Sequence, residues 1–175
     1  MEINDLSALE MESMVRGIPI IGSEKGQWLL EQVKRFQPQK ILELGTANGY
    51  SGCILGSEGG KLVTLEQDAK IAEEARGNFA KFAVTAEIIS GDGVENIKKL
   101  AGKYDLIFID FAKKKYLAVL EDCLRLTKEG SVIIADNITM GGCADFKEAV
   151  LNNPELKTEI IKIKDGLSFS VKITS

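Results

Sequence analysis

Residues 41–52, ILELGTANGYSG, contain the residue types in this chain that are best suited to chemistry. Glu43 lies near the end of an apolar run, where a buried strand would stop, and Gly45 opens a loop just after it. Gly49 follows four residues after Gly45. A dinucleotide-binding loop has instead the spacing G-x-G-x-x-G, which brings a pyrophosphate onto a helix N-terminus. The spacing therefore favours a ligand other than NAD.

The groups around this loop indicate what that ligand carries. A carboxylate at the strand end, free backbone amides around Gly45 and hydroxyls at Tyr50 and Ser51 suit an ammonium, a carboxylate and a ribose. S-adenosylmethionine has all three groups. Glu66 ends the next apolar run, about 20 residues after Gly45, where a carboxylate accepts hydrogen bonds from ribose hydroxyls. The alternative for Glu66 is a solvated acid that ends a strand or caps a helix.

The segment SGDG, residues 90–93, closes a third run. Its two glycines would let the backbone approach a flat ring, and Asp92 could accept a hydrogen bond from an exocyclic amine. The sequence supports equally well a simpler interpretation, in which Asp92 is a helix N-cap with its turn.

Two further acids end very apolar runs, and together they predict a metal site. Asp110 ends YDLIFID, while Asp136 ends SVIIAD and is followed by Asn137. Two carboxylates and one amide carbonyl form an oxygen-only ligand set that suits Mg²⁺, with water and substrate completing the octahedron. The alternative for Asp136 and Asn137 is a turn that leaves the strand.

Three lysines follow Asp110 at the start of a predicted helix, where cations oppose the helix dipole. Lys114 and Lys115 are interpreted as a solvated face. Lys113 lies nearest the strand end and could turn back over the pocket.

Composition restricts the remaining function classes. The chain has 175 residues and is 45% hydrophobic, which suits one compact α/β domain. It contains no histidine, which removes Ser-His-Asp and Cys-His catalysis and any imidazole-ligated metal. The net charge of -4 gives no electrostatic footprint for nucleic acid. Carboxylate, amide and lysine chemistry remain.

The cysteines and the first residues bear on cellular location. Cys53, Cys123 and Cys143 are odd in number and lack C-x-x-C spacing, so we expect small buried thiols and neither a disulfide framework nor a zinc site. The first residues, MEINDLSALEMESMV, carry acids and no long apolar core, unlike a signal or transit peptide. We therefore expect a soluble, cytoplasmic protein with no membrane partner.

Apolar runs alternate with helical periodicity, which is typical of a parallel sheet covered on both faces. The predicted strands are Lys40–Leu44, Lys61–Leu65, Ala86–Ile89, Tyr104–Ile109, Ser131–Ala135, Lys157–Ile163 and Leu167–Ile173. The predicted helices are Asp5–Val15, one from a Ser23 cap to before Pro38, Tyr50–Leu55, Asp68–Phe82, Val94–Leu100, Lys114–Leu126 and Asp145–Leu151. Asp165 and Gly166 are expected to form a tight hairpin turn.

These elements predict an α/β fold: a doubly wound, Rossmann-like sheet, mostly parallel, with an antiparallel C-terminal hairpin. One domain is expected over residues 1–175, made of an N-terminal helical segment (1–37), a nucleotide-binding core (38–137) and a C-terminal helix and hairpin (138–175). Ligands bind such sheets at the carboxyl ends of the strands, where the strand order reverses. The acids that end the strands should therefore share one site.

Seven segments of the chain resemble, in order and spacing, the metal-dependent O-methyltransferases of the catechol and caffeoyl-CoA type. They are IPIIGSEKGQWLL, ILELGTANGYSG, LEQD, GDGVE, YDLIFIDFAKKKY, EGSVIIADN and KDGLSFSVK. The likeness extends over nearly the whole chain from Ile18. The glycine motif alone indicates a class I methyltransferase, whose sheet has seven strands, whereas FID-x-x-K-x-x-Y followed by ADN is specific to this group.

The resemblance implies roles for particular residues. Asp110, Asp136 and Asn137 are the expected ligands of Mg²⁺ or another divalent cation such as Mn²⁺ or Ca²⁺, and Lys113 is the expected catalytic lysine. The residues expected to bind S-adenosylmethionine are Glu43, Gly45, Thr46, Ser51, Glu66, Gln67, Asp92, Gly93 and Asp110. Glu66 would hold the ribose, and Asp92 would lie beside the adenine.

The implied reaction is a single in-line transfer of a methyl group to a hydroxyl of a small, catechol-like acceptor chelated to the metal, with Lys113 taking the proton. The chain departs from the family on the acceptor side, since residues 138–144 form only a short bridge. That side could be open, completed by the second subunit of the homodimer that we expect, or suited to a larger substrate. An RNA or protein methyltransferase and a non-catalytic S-adenosylmethionine-binding protein remain alternatives.

Overall fold

One seven-stranded sheet organises the molecule, and the computed structural model describes residues 1–174. The strands are β1 Lys40–Leu44, β2 Lys61–Glu66, β3 Ala86–Ser90, β4 Tyr104–Ile109, β5 Thr127–Asp136, β6 Leu156–Ile161 and β7 Leu167–Lys172. Their order is β3-β2-β1-β4-β5-β7-β6, parallel from β3 to β5, with β7 antiparallel to both β5 and β6. The predicted fold class is confirmed.

In the part of the chain that the structure describes, seven α-helices connect and cover these strands. They are α1 Ser7–Arg16, α2 Gly22–Phe36, α3 Tyr50–Leu55, α4 Ala69–Lys81, α5 Gly93–Ile97, α6 Tyr116–Arg125 and α7 Ala144–Asn152. Short 3-10 turns at Ile3–Leu6, Lys113–Lys115 and Gly141–Cys143 precede α1, α6 and α7. Within residues 1–174, no helix combines the length and the apolar character needed to cross a membrane.

The two faces of the sheet are buried in two separate apolar clusters. Leu106 and Phe108 of β4 belong to one cluster, which α2 and α3 cover, whereas Ile107 and Ile109 belong to the other, which α6 and α7 cover. This alternation explains why β4 is apolar throughout, because successive side chains of a strand point to opposite faces and both faces are covered here. The three cysteines are free and buried, as predicted.

Several predicted boundaries are wrong. Ser23 does not cap α2, which begins at Gly22 with Ile21 at the N-cap and no side-chain cap bond. The helix predicted from Lys114 is a 3-10 turn first, and α6 starts only at Tyr116. These differences lie at element ends, where local sequence signals are weakest.

The C-terminal hairpin is not joined by a two-residue turn. β6 ends at Ile161 and pairs there with Leu167, so residues 162–166 form the connection. Asp165 therefore lies inside a longer loop that folds back toward the end of β5, where Thr139 donates its backbone N–H to the Asp165 carbonyl at 3.0 Å. This loop brings an additional carboxylate to the edge of the sheet.

Candidate functional site

A cavity of about 510 Å³ lies at the carboxyl ends of β1, β2, β4 and β5. It is lined by Pro19, Ile20, Gly45, Thr46, Ala47, Tyr50, Ser51, Glu66, Asp68, Ile71, Asp110, Phe111, Lys113, Asp136, Asn137 and Met140. The strand order reverses between β1 and β4, so the cavity lies at the position where doubly wound sheets bind ligands. Among the predicted site residues, Glu43, Gln67, Asp92 and Gly93 are outside this lining.

Gly45 is required where β1 approaches β4. Its φ is 101°, and a Cβ at this position would lie 2.1 Å from the backbone carbonyl oxygen of Asp110. Any side chain would therefore push the two strand ends apart. Because Gly45 has no side chain, the end of β1 can lie against Asp110, which lines the cavity at the end of β4.

Glu43 lies beneath the cavity and supports it from below. Its carboxylate is fully buried and accepts hydrogen bonds from Ser51 Oγ at 2.5 Å and Thr64 Oγ1 at 2.6 Å. Burial raises the pKa of Glu43 to about 8, although both hydroxyl bonds oppose the shift. Glu43 thus fixes Ser51 at the start of α3 and Thr64 of β2. Both of its hydrogen-bond partners are residues of the protein itself.

Glu66 faces the cavity at the end of β2 and organises the loop across from it. Its Oε2 accepts from the backbone N–H of Ala47 at 2.9 Å, and its Oε1 accepts from that of Asp68 at 2.9 Å. Each carboxylate oxygen has two lone-pair sites, so one site on each oxygen remains. Gln67 is exposed.

Asp92 is the N-cap of α5, which is the simpler of its two interpretations. Its Oδ1 accepts from the N–H of Val94 and Glu95, and its Oδ2 accepts from Lys115 Nζ at 2.5 Å. The Lys115 side chain is 42% exposed, so it is partly solvated as predicted and also pairs with Asp92. Gly93 lies against the ring of Phe111. A role of Asp92 and Gly93 beside adenine stays a prediction.

Asp110 and Lys113 form an ion pair at the end of β4. Lys113 Nζ donates to Asp110 Oδ1 at 2.7 Å, and both side chains line the cavity. The side chain of Lys113, the first residue of the 3-10 turn at Lys113–Lys115, turns back toward the strand end and over the pocket. Tyr116 lies below, with its ring 5.6 Å from Lys113 Nζ and stacked on Phe111 at 5.7 Å.

Asp136 is held by a lysine that sequence reasoning missed. Lys25, on the buried side of α2, donates to Asp136 Oδ1, and the two side chains are only 2% and 3% exposed. Burial raises the pKa of Asp136 to about 6, and the charge of Asp110 adds to this, while Lys25 opposes it. Both carboxylates line the same cavity, so the negative charge of Asp110 disfavours ionisation of Asp136.

Lys25 also binds Asp165, the additional carboxylate from the hairpin loop. Burial lowers the pKa of Lys25, but its hydrogen bonds to Asp136 and Asp165 outweigh burial and leave the pKa raised. Asp165 in turn accepts from Asn137 Nδ2 at 2.6 Å through its other oxygen. A second cavity, of about 270 Å³, opens on this side and shares Asp136 and Asn137 with the first.

The predicted metal ligands therefore line one cavity, but their metal role remains a prediction. Within residues 1–174, no group of three or more acidic, cysteine or histidine side chains is arranged as a metal site. The predicted metal site would consist of two carboxylates and the amide oxygen of Asn137. A signal for the missed lysine existed, because Lys25 has the same helical phase as Leu29 and Val33 on the apolar side of α2.

Known proteins share this arrangement of elements. The model of the O-methyltransferase family matches residues 4–173 of the chain. The catechol O-methyltransferase of Mycobacterium tuberculosis is 34% identical over 128 residues, which cover 70% of this chain and 58% of that protein. Catechol O-methyltransferase B of Danio rerio is 33% identical over 171 residues, which cover 86% of this chain and 64% of that protein. The chain belongs to the O-methyltransferase family, as the resemblance predicted.

A solved structure extends the comparison to the fold. The O-methyltransferase from Bacillus cereus in complex with SAH has a TM-score of 0.85 and 25% identity, covering 97% of this chain and 90% of that chain. The chain spans about three fifths of the length of the two curated relatives, 58% and 64%.

Proposed function

We propose that this protein is an S-adenosylmethionine-dependent O-methyltransferase that transfers a methyl group to a hydroxyl of a small, catechol-like acceptor held by a divalent metal. The observation that carries this proposal is the arrangement of the cavity. Glu66 and the loop after Gly45 line it at β1 and β2, and the pair Asp136 and Asn137 lines it at β5. A methyl donor and a hydroxyl acceptor can therefore lie side by side.

The half at β1 and β2 suits the donor. Each carboxylate oxygen of Glu66 accepts one backbone hydrogen bond, from Ala47 or from Asp68. One lone-pair site remains on each oxygen, and these two sites match the two hydroxyls of a ribose. Gly45 offers backbone without a side chain next to it. The Bacillus cereus relative supports this assignment because its structure contains SAH, the product left when S-adenosylmethionine gives up its methyl group.

The half at β4 and β5 suits a divalent cation. Asp110 and Asp136 bring two carboxylates to one cavity and Asn137 adds an amide oxygen, and such hard oxygen donors are what Mg²⁺ selects. Asp110, Asp136 and Asn137 would hold the ion. Once bound, it would lower the pKa of the acceptor hydroxyl and fix its direction. The names of the two curated relatives support a catechol as the acceptor.

Lys113 would move the proton. Its Nζ lies in the cavity but donates to Asp110 in the structure, so it can accept a proton only after it loses its own and leaves that carboxylate. Asp110 would release Lys113 when the positive charge of a bound divalent cation lies beside its carboxylate. The remaining residues of the site would act by position, because the sulfonium methyl of the donor is already activated.

The proposal is tested by following labelled methyl groups. Purified protein is incubated with methyl-labelled S-adenosylmethionine and catechol, with Mg²⁺, with EDTA, and with EDTA followed by excess Mg²⁺ or Mn²⁺. We expect label in catechol with Mg²⁺, none with EDTA, and recovery when metal is added back. Binding of SAH by calorimetry without any transfer would instead indicate a non-catalytic binding protein. Transfer that persists in EDTA would remove the metal from the proposal.

A further inference from the structure

The loop at residues 162–166 contacts the proposed cation site through a single carboxylate, that of Asp165. One of its oxygens accepts from Lys25 Nζ and the other accepts from Asn137 Nδ2. Lys25 donates to Asp136, the buried carboxylate of that site, and Asn137 follows Asp136 in the chain. Asp165 therefore contacts two residues that adjoin Asp136.

The bond to Asp165 determines which end of the Asn137 amide is available. A carboxylate has no proton to donate, so only the nitrogen of the amide can bind it, and the oxygen must point the other way. Asn137 has a left-handed backbone, with φ at 57°, which fixes the starting direction of its side chain. If the amide were rotated by half a turn, it would present N–H donors where a cation needs an oxygen.

The Asp165 carboxylate also affects how Lys25 binds Asp136. The ammonium is shared between Asp136 Oδ1 and Asp165, so it is not committed to Asp136 alone. Asp165 accordingly supplies a second anion for the buried lysine and leaves the other oxygen of Asp136 outside this ion pair.

Backbone contacts hold the loop in the position that this requires. The Asp165 carbonyl accepts from the N–H of Thr139 at 3.0 Å and from its Oγ1 at 2.8 Å, and the Gly166 carbonyl accepts from the N–H of Ile138 at 3.2 Å. A Cβ on Gly166 would lie 3.0 Å from Ile138 and 3.1 Å from Thr139, and the φ of Gly166 is 77°. Only glycine permits this approach without strain.

We propose that Asp165 is a positioning residue for the cation site, which turns the Asn137 oxygen toward the ion and shares Lys25 with Asp136. This inference rests on the proposed function. It explains why the hairpin uses a longer connection than a two-residue turn, since a tighter turn would withdraw the carboxylate from Asn137 and Lys25.

The test uses Mn²⁺ alone as the probe, with free Mn²⁺ measured by electron paramagnetic resonance. Asp165→Asn keeps a carbonyl acceptor but loses the charge, and Asp165→Ala loses both. Partners of metal ligands typically contribute about ten- to hundredfold to affinity, so we expect Mn²⁺ binding to weaken within that range, more for Asp165→Ala than for Asp165→Asn. The affinity for SAH should not change. Glu24→Gln removes an exposed carboxylate that pairs with Lys164 of the same loop, and it is the matched control.

The readouts separate positioning from a merely structural role. Excess Mn²⁺ should restore methyl transfer in Asp165→Asn, because the ligands themselves are intact. Unchanged Mn²⁺ affinity in both variants overturns the inference and leaves the proposed function standing. A parallel loss of Mn²⁺ affinity, SAH affinity and thermal midpoint also overturns it, since that pattern indicates a structural role. Failure of the native protein to bind Mn²⁺ overturns the inference and the metal part of the proposed function together.

Discussion

The two halves of the cavity hold their carboxylates in different ways. At β1 and β2, Glu43 and Glu66 accept only from neutral donors, namely two hydroxyls and two backbone N–H groups. At β4 and β5, Asp110 and Asp136 accept from the ammonium groups of Lys113 and Lys25. The first half is fixed by neutral hydrogen bonds and the second by charge.

This difference matches what each half would bind. The donors to Glu66 are backbone N–H groups that bring no positive charge, and the ribose hydroxyls it would bind are also neutral. Ammonium groups place positive charge beside Asp110 and Asp136, and at Asp110 a divalent cation would replace the ammonium of Lys113. A site organised by exchangeable charge should respond to charge substitutions more strongly than one organised by hydroxyls and amides.

The largest effect on stability is expected at Lys25. Lys25→Met leaves Asp136 buried without its cation, and removing one partner of a buried ion pair typically costs about 3–5 kcal/mol. We expect a loss of that size in the free energy of unfolding, measured by equilibrium urea denaturation. Lys34→Met is the control, because Lys34 is 40% exposed and pairs with an exposed glutamate. Equal stability of Lys25→Met and native protein would show that the charged half is not held by this lysine.

A smaller effect is expected at Glu66, in the neutral half. Glu66→Ala should weaken SAH binding by about 1–3 kcal/mol, the contribution of hydrogen bonds to a charged group. The variant should bind Mn²⁺ as the native protein does, because β1 and β4 separate Glu66 from Asp136. Calorimetric titrations with each ligand test both statements. Unchanged affinity for SAH would remove Glu66 from the cofactor site.

The most gradual effect is a dependence of stability on pH, expected at Glu43. Burial raises the pKa of Glu43 to about 8 from its ordinary value of 4.5, so the folded protein keeps a proton that the unfolded chain releases between these values. Glu43 therefore favours folding most at the acidic end of this window, and its contribution to stability falls as pH rises toward 8, by at most about 1.4 kcal/mol per pH unit. Glu43→Gln should remove this component.

The check on Glu43 is a set of urea denaturations from pH 5.5 to 8.5. The stability of native protein minus that of Glu43→Gln should decrease steadily across the window. Glu159→Gln, at an exposed position of β6, should leave the native slope unaltered. A difference between native protein and Glu43→Gln that is independent of pH would show that Glu43 is ionised throughout the window.

Most of the fold follows from local patterns. Buried parallel strands such as β4 are apolar throughout and are recognisable without knowing their neighbours. The exceptions arise where tertiary contacts decide a boundary. The hairpin connection is longer than Asp165 and Gly166 alone suggest, because Asp165 is used by Lys25 and Asn137, which are 140 and 28 residues away.

The two halves of the cavity also differ in how far apart in the sequence their hydrogen-bond partners lie. Glu43 and Glu66 find donors within 21 residues, so a short motif contains most of the neutral half. Lys25 and Asp136 are 111 residues apart, and no spacing rule connects them. Only the position of a lysine on the apolar side of α2 could have marked Lys25 as unusual. Ion pairs between residues this far apart in the sequence can be recognised only from the structure.

The central claim is that one cavity binds the methyl donor and a metal in separate halves, and Asp136→Ala tests it most directly. SAH affinity by calorimetry and methyl transfer to catechol in Mg²⁺ are measured on the same preparation. We expect SAH binding within about twofold of native and transfer reduced by more than about a hundredfold, since a lost ligand should cost more than a lost partner of a ligand. Full activity of Asp136→Ala, or loss of SAH binding in a folded variant, would contradict the account.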